Sequence, residues 1–473
     1  MINQASADRF SNTSLRSISF GLFVFALAVR FGYLAYNVSL KIPDGWGNQA
    51  RACLYYGQVL SKTPISDLAG RLTIEEAHRL YLYDDNGLAF IHYLIGKVLG
   101  RTSFRRMQIL HLLLDALLLF PIMGIGRSLG QNRLAILSGA AYSVFLPEIW
   151  LAASPGYDFW ATLGLIVATW LYVKGFQTRP EELGRLLACF VLGTIIVVLS
   201  GIVRSTVIYF PFIFLPLFFI ASKNSFRRKS LISLAVMGAW VIGLSPKLAQ
   251  NYSTYGQFRV VRNSLGQNFW LGVGQFSNPY GIVPTDDGVK AFYTRFSGRR
   301  DTKDVGYDQA LVEKAREYVT THPLQYLGSV TKRAAAILSG LSMRCSGVVA
   351  DVYIDSPGSG LDYAEAHARG NEHKRLTQSY GQMIGNAFYL LQNPGRVRFV
   401  YLLLMPLGLF FAFFWERQGI RWLAASPMIY TLMTLSPFDY TGRNVINAYA
   451  SILPVCMLGL LELYDHLMPT HQD

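Results

Sequence analysis

Gly87-Leu-Ala-Phe-Ile-His-Tyr-Leu-Ile-Gly-Lys-Val-Leu-Gly100 decides the fold, because reading it as a membrane span or as a surface helix moves every later loop to one side or the other. The stretch is apolar but only about 14 residues long, short of the roughly 20 needed to cross about 30 Å of hydrocarbon. His92 and Lys97 interrupt it. An interfacial helix is therefore expected. With that choice the basic loops Arg127/Arg133, Lys174/Arg179/Arg185, Lys223/Arg227/Arg228/Lys229 and Arg417/Arg421 all fall on the side of the N-terminus. Cationic loops are retained on the cytoplasmic face, so this assignment is self-consistent.

Around that stretch the composition calls for a bilayer. The 473 residues are 52% hydrophobic and only 15% charged, with a mean hydropathy of +0.28, too few charges to coat a soluble body of this size. The net charge of +14 fits topology-setting loops and anionic lipid heads, and no basic stripe interleaved with aromatics marks a nucleic-acid binder. An apolar run from about Ile18 to Leu40 follows a polar start carrying Arg9 and Arg16, with no small-residue cleavage site after it, so a retained first helix is expected. Further spans are expected at Met107–Ile125, Leu134–Ala152, Phe159–Val173, Leu186–Val203, Thr206–Ala221, Leu231–Ser245, Val397–Phe414, Trp422–Leu435 and Val445–Leu463. The fold class is all-α and polytopic, with about ten transmembrane helices.

The expected organisation is a transmembrane core over 1–245 that includes the first outer loop 41–105, an outer cap over 246–395, and C-terminal helices over 396–473. Within the cap one soluble-looking helix is legible, Tyr307–Thr321, stopped by Pro323. No internal repeat is visible, which speaks against a transporter built from inverted halves.

Polar groups converge on the expected outer face. Asp44, in Lys41-Ile-Pro-Asp-Gly-Trp-Gly-Asn-Gln-Ala50, follows the first span, and Asp158 opens the fourth after Ala153-Ser-Pro-Gly-Tyr157. Moving a sugar from a phosphate carrier to a hydroxyl or amine requires a base for the acceptor's proton and a cation for the departing phosphate. Asp44 and Asp158 suit the first task; Arg204, Arg443, Arg262 and Lys247, at or near outer span ends, suit the second. The plain alternatives are a solvated helix-end acid at 44, a helix cap at 158, and lipid-head anchors for the arginines. Arg30, within the first span, needs a carboxylate, which Asp115 or Asp158 could supply. His111 and Asp115, four apart on one helix face, read as a buried structural pair, with a proton relay or a metal pair as the functional alternatives. The four cysteines (Cys53, Cys189, Cys345, Cys456) form no CxxC and no Cys/His cluster, so no metal site is expected, although a bridge between Cys53 and Cys345 is conceivable.

The order of these features resembles the GT-C glycosyltransferases, in particular the protein O-mannosyltransferase and lipid A aminoarabinose transferase branch (glycosyltransferase family 39/83-like). The resemblance rests on the acid after the first helix, the stretch Gln49-Ala-Arg-Ala-Cys-Leu-Tyr-Tyr-Gly57, the short helix ending Val98-Leu-Gly100, Arg106, and Leu146-Pro-Glu-Ile149 leading to Asp158. It continues through Ser245-Pro-Lys-Leu-Ala-Gln-Asn-Tyr-Ser-Thr-Tyr-Gly256, Asn263-Ser-Leu-Gly-Gln-Asn-Phe-Trp-Leu-Gly272 and Gly442-Arg-Asn444. It implies a GT-C fold with interfacial helices in the first outer loop and a small extracytoplasmic cap, in the plasma (bacterial inner) membrane. It also implies an inverting transfer of one sugar from a polyprenyl-phosphate-linked donor to an extracytoplasmic acceptor, with Asp44 as base, Asp158 in support, and Arg204 and Arg443 on the phosphate. No cofactor is implied, and a divalent cation stays open. Asp44 is followed by Gly45 and Trp46 where the family often has Asp-Glu and then Tyr, and Asp85-Asn86 stands where the lipid A branch has Lys-Pro. A lipid or solute transporter and a non-catalytic envelope-assembly subunit are the readings from other classes.

Overall fold

The computed structural model describes residues 12–39, 86–99, 104–129, 132–153, 156–179, 181–255, 258, 265–276, 278–284, 286–299, 305–339, 404–413, 419–438 and 442–468. Among these residues every regular element is helical. Six helices are long and apolar enough to cross a membrane, seven if one bent pair counts as a single span, as expected of a multi-pass membrane protein. Helices over Ser205–Ala221 and Leu404–Phe413 are apolar but shorter, so the ten-span count rests on sequence alone.

The described residues form two compact units, the first comprising Met1–Val260, Leu403–Ile429 and Ile446–Asp473, the second Val261–Leu402 and Tyr430–Val445. The first unit begins with α1 (Asn12–Ser39), α2 (Asn86–Leu99), α3 (Phe104–Leu117) and α4 (Leu119–Ser128). Pro121 cannot donate to the carbonyl of Leu117, and the break between α3 and α4 falls there, although together they make one span, Arg105–Ser128. Next come α5 (Asn132–Ser143) and α6 (Leu146–Ala153), the expected third span, bent by 52°. Pro147 lacks the N–H that would bond the Ser143 carbonyl, so the helix turns and that carbonyl is left for another donor.

α7 (Asp158–Phe176) and α8 (Leu183–Val203) follow as a tightly packed hairpin, then α9 (Phe210–Ala221) and α10 (Phe226–Tyr255). α10 runs ten residues past the expected span end at Ser245, through Pro246. α15 (Leu404–Phe413), α16 (Gly419–Ala424) and most of α18 (Gly442–Leu467) complete the unit, with α17 (Ser426–Leu435) leading out of it. α15 approaches α18 so closely that a Cβ on Gly459 would lie 2.6 Å from the Ala412 amide nitrogen. Gly459→Ala is accordingly expected to destabilise the bundle by roughly 1–3 kcal/mol. Gly238→Ala, with nothing within 4 Å, serves as the neutral control when melting temperatures in detergent are compared.

The two ends of this unit differ in kind. At one end Arg133 pairs with Asp465 at 3.3 Å, Gln177 donates to the Ser128 carbonyl, Lys229 donates to the Phe219 carbonyl at 2.7 Å, and Arg421 donates to Glu462 at 3.0 Å. Residues of all four expected basic loops thus lie at this end of the unit. At the other end lie the start of α3, the end of α6, the start of α7 and the end of α8, tied by Gln108 donating to the Ala153 carbonyl at 2.9 Å and by an ion pair between α7 and α8. α1 runs antiparallel to the span made by α3 and α4, since the Phe23 ring lies 5.5 Å from that of Phe120 while Arg30, further along α1, meets Asp115, earlier in the span. The chain therefore leaves α1 at this second end.

The second unit contains α11 (Leu265–Gly274), α12 (Asp286–Ser297), α13 (Val305–Thr321) and α14 (Pro323–Ser339). Sequence reasoning found only α13; the others are short or amphipathic and carry no cap motif strong enough to announce them. Trp270, Phe292, Tyr293 and Tyr318 form the centre of its core, and the Trp270 indole donates to the Leu311 carbonyl at 2.9 Å. Buried Arg333 donates to the carbonyls of Ser436 at 2.7 Å and Gly272 at 2.8 Å. Burial pushes the Tyr318 and Tyr326 hydroxyls above the ordinary phenol range, so both remain neutral donors.

Candidate functional site

Asp158 opens α7 at the end of the bundle away from the basic loops, where a carboxylate is favoured by the helix dipole. It is not the capping residue: Tyr157 holds that position and makes no side-chain cap. The carboxylate instead pairs with Arg204 at 3.0 Å, and the Arg204 guanidinium lies 4.4 Å from the centroid of the Tyr157 ring. Arg204 occupies this place because α8 stops there, its own backbone extended after the last helical turn. Its side chain keeps 17% of its surface exposed, against 7% for Asp158. The cation is thus the member of the pair that can meet an arriving anion, as stacking and a planar donor fork favour.

Beneath this pair lies a buried polar network. Gln108, His111 and Asp115 form one inward stripe of α3. Asp115 pairs with Arg30 at 2.6 Å and accepts a hydrogen bond from the Tyr142 hydroxyl, and Arg30 also donates to the Ser143 carbonyl that Pro147 leaves open, at 3.3 Å. Of the two carboxylates open to Arg30 in the sequence, Asp115 is the partner. His111 does not make a metal pair with it: its ring stacks on Phe159 at 4.8 Å and meets Trp160 edge-on at 5.5 Å. Among the described residues no three His, Cys, Asp or Glu side chains come close enough to hold a metal ion.

Glu148 was legible only as part of the proline-containing approach to Asp158, yet it is fully buried in α6. Thr162, one turn after Asp158 on α7, lies 3.3 Å from the Glu148 carboxylate and 2.8 Å from the Asn447 side-chain oxygen of α18. An acid inside a membrane bundle is itself the signal that should have singled out Glu148.

Lys247 is half-buried on α10, and Arg443 stands on the first turn of α18, its side chain outside the described residues. Asp44, Arg262, Cys53 and Cys345 also lie outside them. Cys189 and Cys456 are buried free thiols. Compared with known proteins, the chain matches no family model, no curated protein and no solved structure.

Proposed function

We propose that the protein is a GT-C-type integral-membrane glycosyltransferase that moves one sugar from a polyprenyl-phosphate carrier to an extracytoplasmic acceptor, with inversion. Asp44 accepts the acceptor's proton, Asp158 orients the reacting groups, and Arg204, with Arg443, Arg262 and Lys247 as further candidates, neutralises the carrier phosphate. The observation that best supports this reading is the Asp158–Arg204 pair at the bundle end opposite the basic loops, the end at which the chain leaves α1 toward Asp44. A carboxylate beside a stacked, partly exposed guanidinium can hold a phosphate head and a hydroxyl together.

The test incubates purified protein with labelled polyprenyl-phosphate sugars and cell-envelope acceptors. Transfer from at least one donor is expected, and none from any donor would contradict the reading. Arg204→Ala should raise KM for the carrier by about 10- to 100-fold, the value of a charge-assisted hydrogen bond of about 1.5–3 kcal/mol, with Arg204→Lys in between.

One observation favours a lipid or solute transporter instead: the third span is broken by 52° and lies among buried charges, a pattern found where membrane proteins hold substrates at depth. Uptake into vesicles without glycosyl transfer would select that reading.

A further inference from the structure

We propose that Glu148, Thr162 and Asn447 form a binding site for one monovalent cation, H⁺ or Na⁺, inside the helix bundle. The first argument is charge. The charged groups acting on Glu148 are Arg30 of α1, Asp115 of α3 and Asp158 of α7, with the Tyr142 hydroxyl of α5 close to Asp115. Arg30 is taken by Asp115 at 2.6 Å and Asp158 has Arg204 at 3.0 Å, so among the described residues two ion pairs cancel and no further cation faces Glu148. A fully buried, uncompensated carboxylate costs several kcal/mol or more, and proteins avoid it by adding a positive charge.

The second argument is the hydrogen-bond count. Glu148 Oε1 is buried with no partner. Thr162 Oγ1 faces two acceptors, Glu148 Oε2 at 3.3 Å and Asn447 Oδ1 at 2.8 Å, but a hydroxyl carries one proton. If that proton goes to Asn447, the nearer, the contact with Glu148 sets lone pair against lone pair. Turning the Asn447 amide over would let Thr162 donate to Glu148, yet Oε1 and the net charge would stay unmet. A water between Oε1 and the unpartnered Nη2 of Arg30 would add hydrogen bonds but no charge. One added cation removes the net charge and the crowding of acceptors at Thr162: a proton on Oε2 donates to Thr162, which donates to Asn447, and leaves Oε1 a neutral carbonyl, whereas Na⁺ takes the carboxylate, hydroxyl and amide oxygens as ligands from α6, α7 and α18.

This inference does not depend on the transferase reading, and its test reads no turnover. Infrared spectra of protein carrying isotope-labelled glutamate are recorded in Na⁺-free and NaCl buffers, alongside melting temperatures in NaCl and choline chloride. A protonated carboxyl carbonyl band that moves with the glutamate label, is lost in Glu148→Gln and shifts in Thr162→Val identifies a proton. Disappearance of that band on adding NaCl, with a melting temperature that rises with NaCl over choline in the wild type but not in Glu148→Gln, identifies Na⁺. The label assigns the band to glutamate in the wild type, and its shift in Thr162→Val assigns it to Glu148 even if Glu148→Gln folds poorly. Absence of any glutamate-dependent protonated band without Na⁺, together with no NaCl-specific rise in melting temperature, overturns the proposal.

Discussion

Asp115→Asn is expected to deplete the folded protein, with a loss of about 3–5 kcal/mol, because it leaves the Arg30 guanidinium charged and unpaired in the interior of the bundle. Both partners are fully buried, and their contact at 2.6 Å joins the first and second spans. Arg30 cannot escape to the surface: its other bonds go to the Ala26 carbonyl of its own helix and to the Ser143 carbonyl exposed by the bend. Asn keeps one acceptor oxygen where the carboxylate had two, so it can serve the Arg30 guanidinium or the Tyr142 hydroxyl but turns an amide N–H toward the other. Removing both charges is a different matter, since buried ion pairs replaced by apolar groups of similar volume are often neutral or better. Arg30→Met with Asp115→Leu should therefore recover most of the loss. Melting temperature and the monodisperse yield in detergent measure both variants; a fully stable Asp115→Asn would show that the pair carries no such weight.

Asp44→Asn is expected to lower transfer by at least about 100-fold, the usual value of a general base, while leaving the protein folded in the membrane. α1 ends at Ser39, at the end of the bundle that carries Asp158 and Arg204. A few residues of chain, each spanning at most about 3.6 Å, separate that point from Asp44. An amide there keeps the shape and loses the ability to take a proton, so kcat should fall while carrier binding changes little. Steady-state rates with a saturating labelled donor check this, with folded yield as the control. Retained turnover would remove Asp44 from the mechanism.

Much of the scaffold could be read from the sequence because lipid forces long apolar runs to be helices, and the runs around Met107, Phe159, Leu186 and Val445 are helices with bounds close to those expected. Asp158 and Arg204 were legible for a related reason: each stands where an apolar run stops, and charges at run ends are conspicuous. What could not be read was pairing. Sequence spacing left Arg30 with two possible acids, and only the antiparallel packing of α1 on the span made by α3 and α4 selects Asp115. Thr162 and Asn447 meet across 285 residues, a relation no local pattern carries. Glu148 stands inside the expected span Leu134–Ala152 but reads there only as part of the approach to Asp158; its place in the buried network depends on the bend beside Pro147, which no local pattern measures. The second unit was under-read because its helices are neither long nor continuously apolar, so α11, α12 and α14 gave no signal as strong as a span.

The account stands or falls on whether Asp44 and Asp158 share one water-filled site above the bilayer. In a background without the four native cysteines, Asp44→Cys and Gly156→Cys, the latter two positions before Asp158, can be probed in sealed vesicles with a membrane-impermeant thiol reagent and a short bifunctional cross-linker. Labelling of both sites from the extracytoplasmic face and a cross-link between them are predicted. Labelling from opposite faces, or a separation on the order of the bilayer's roughly 30 Å thickness, would contradict the proposed active centre.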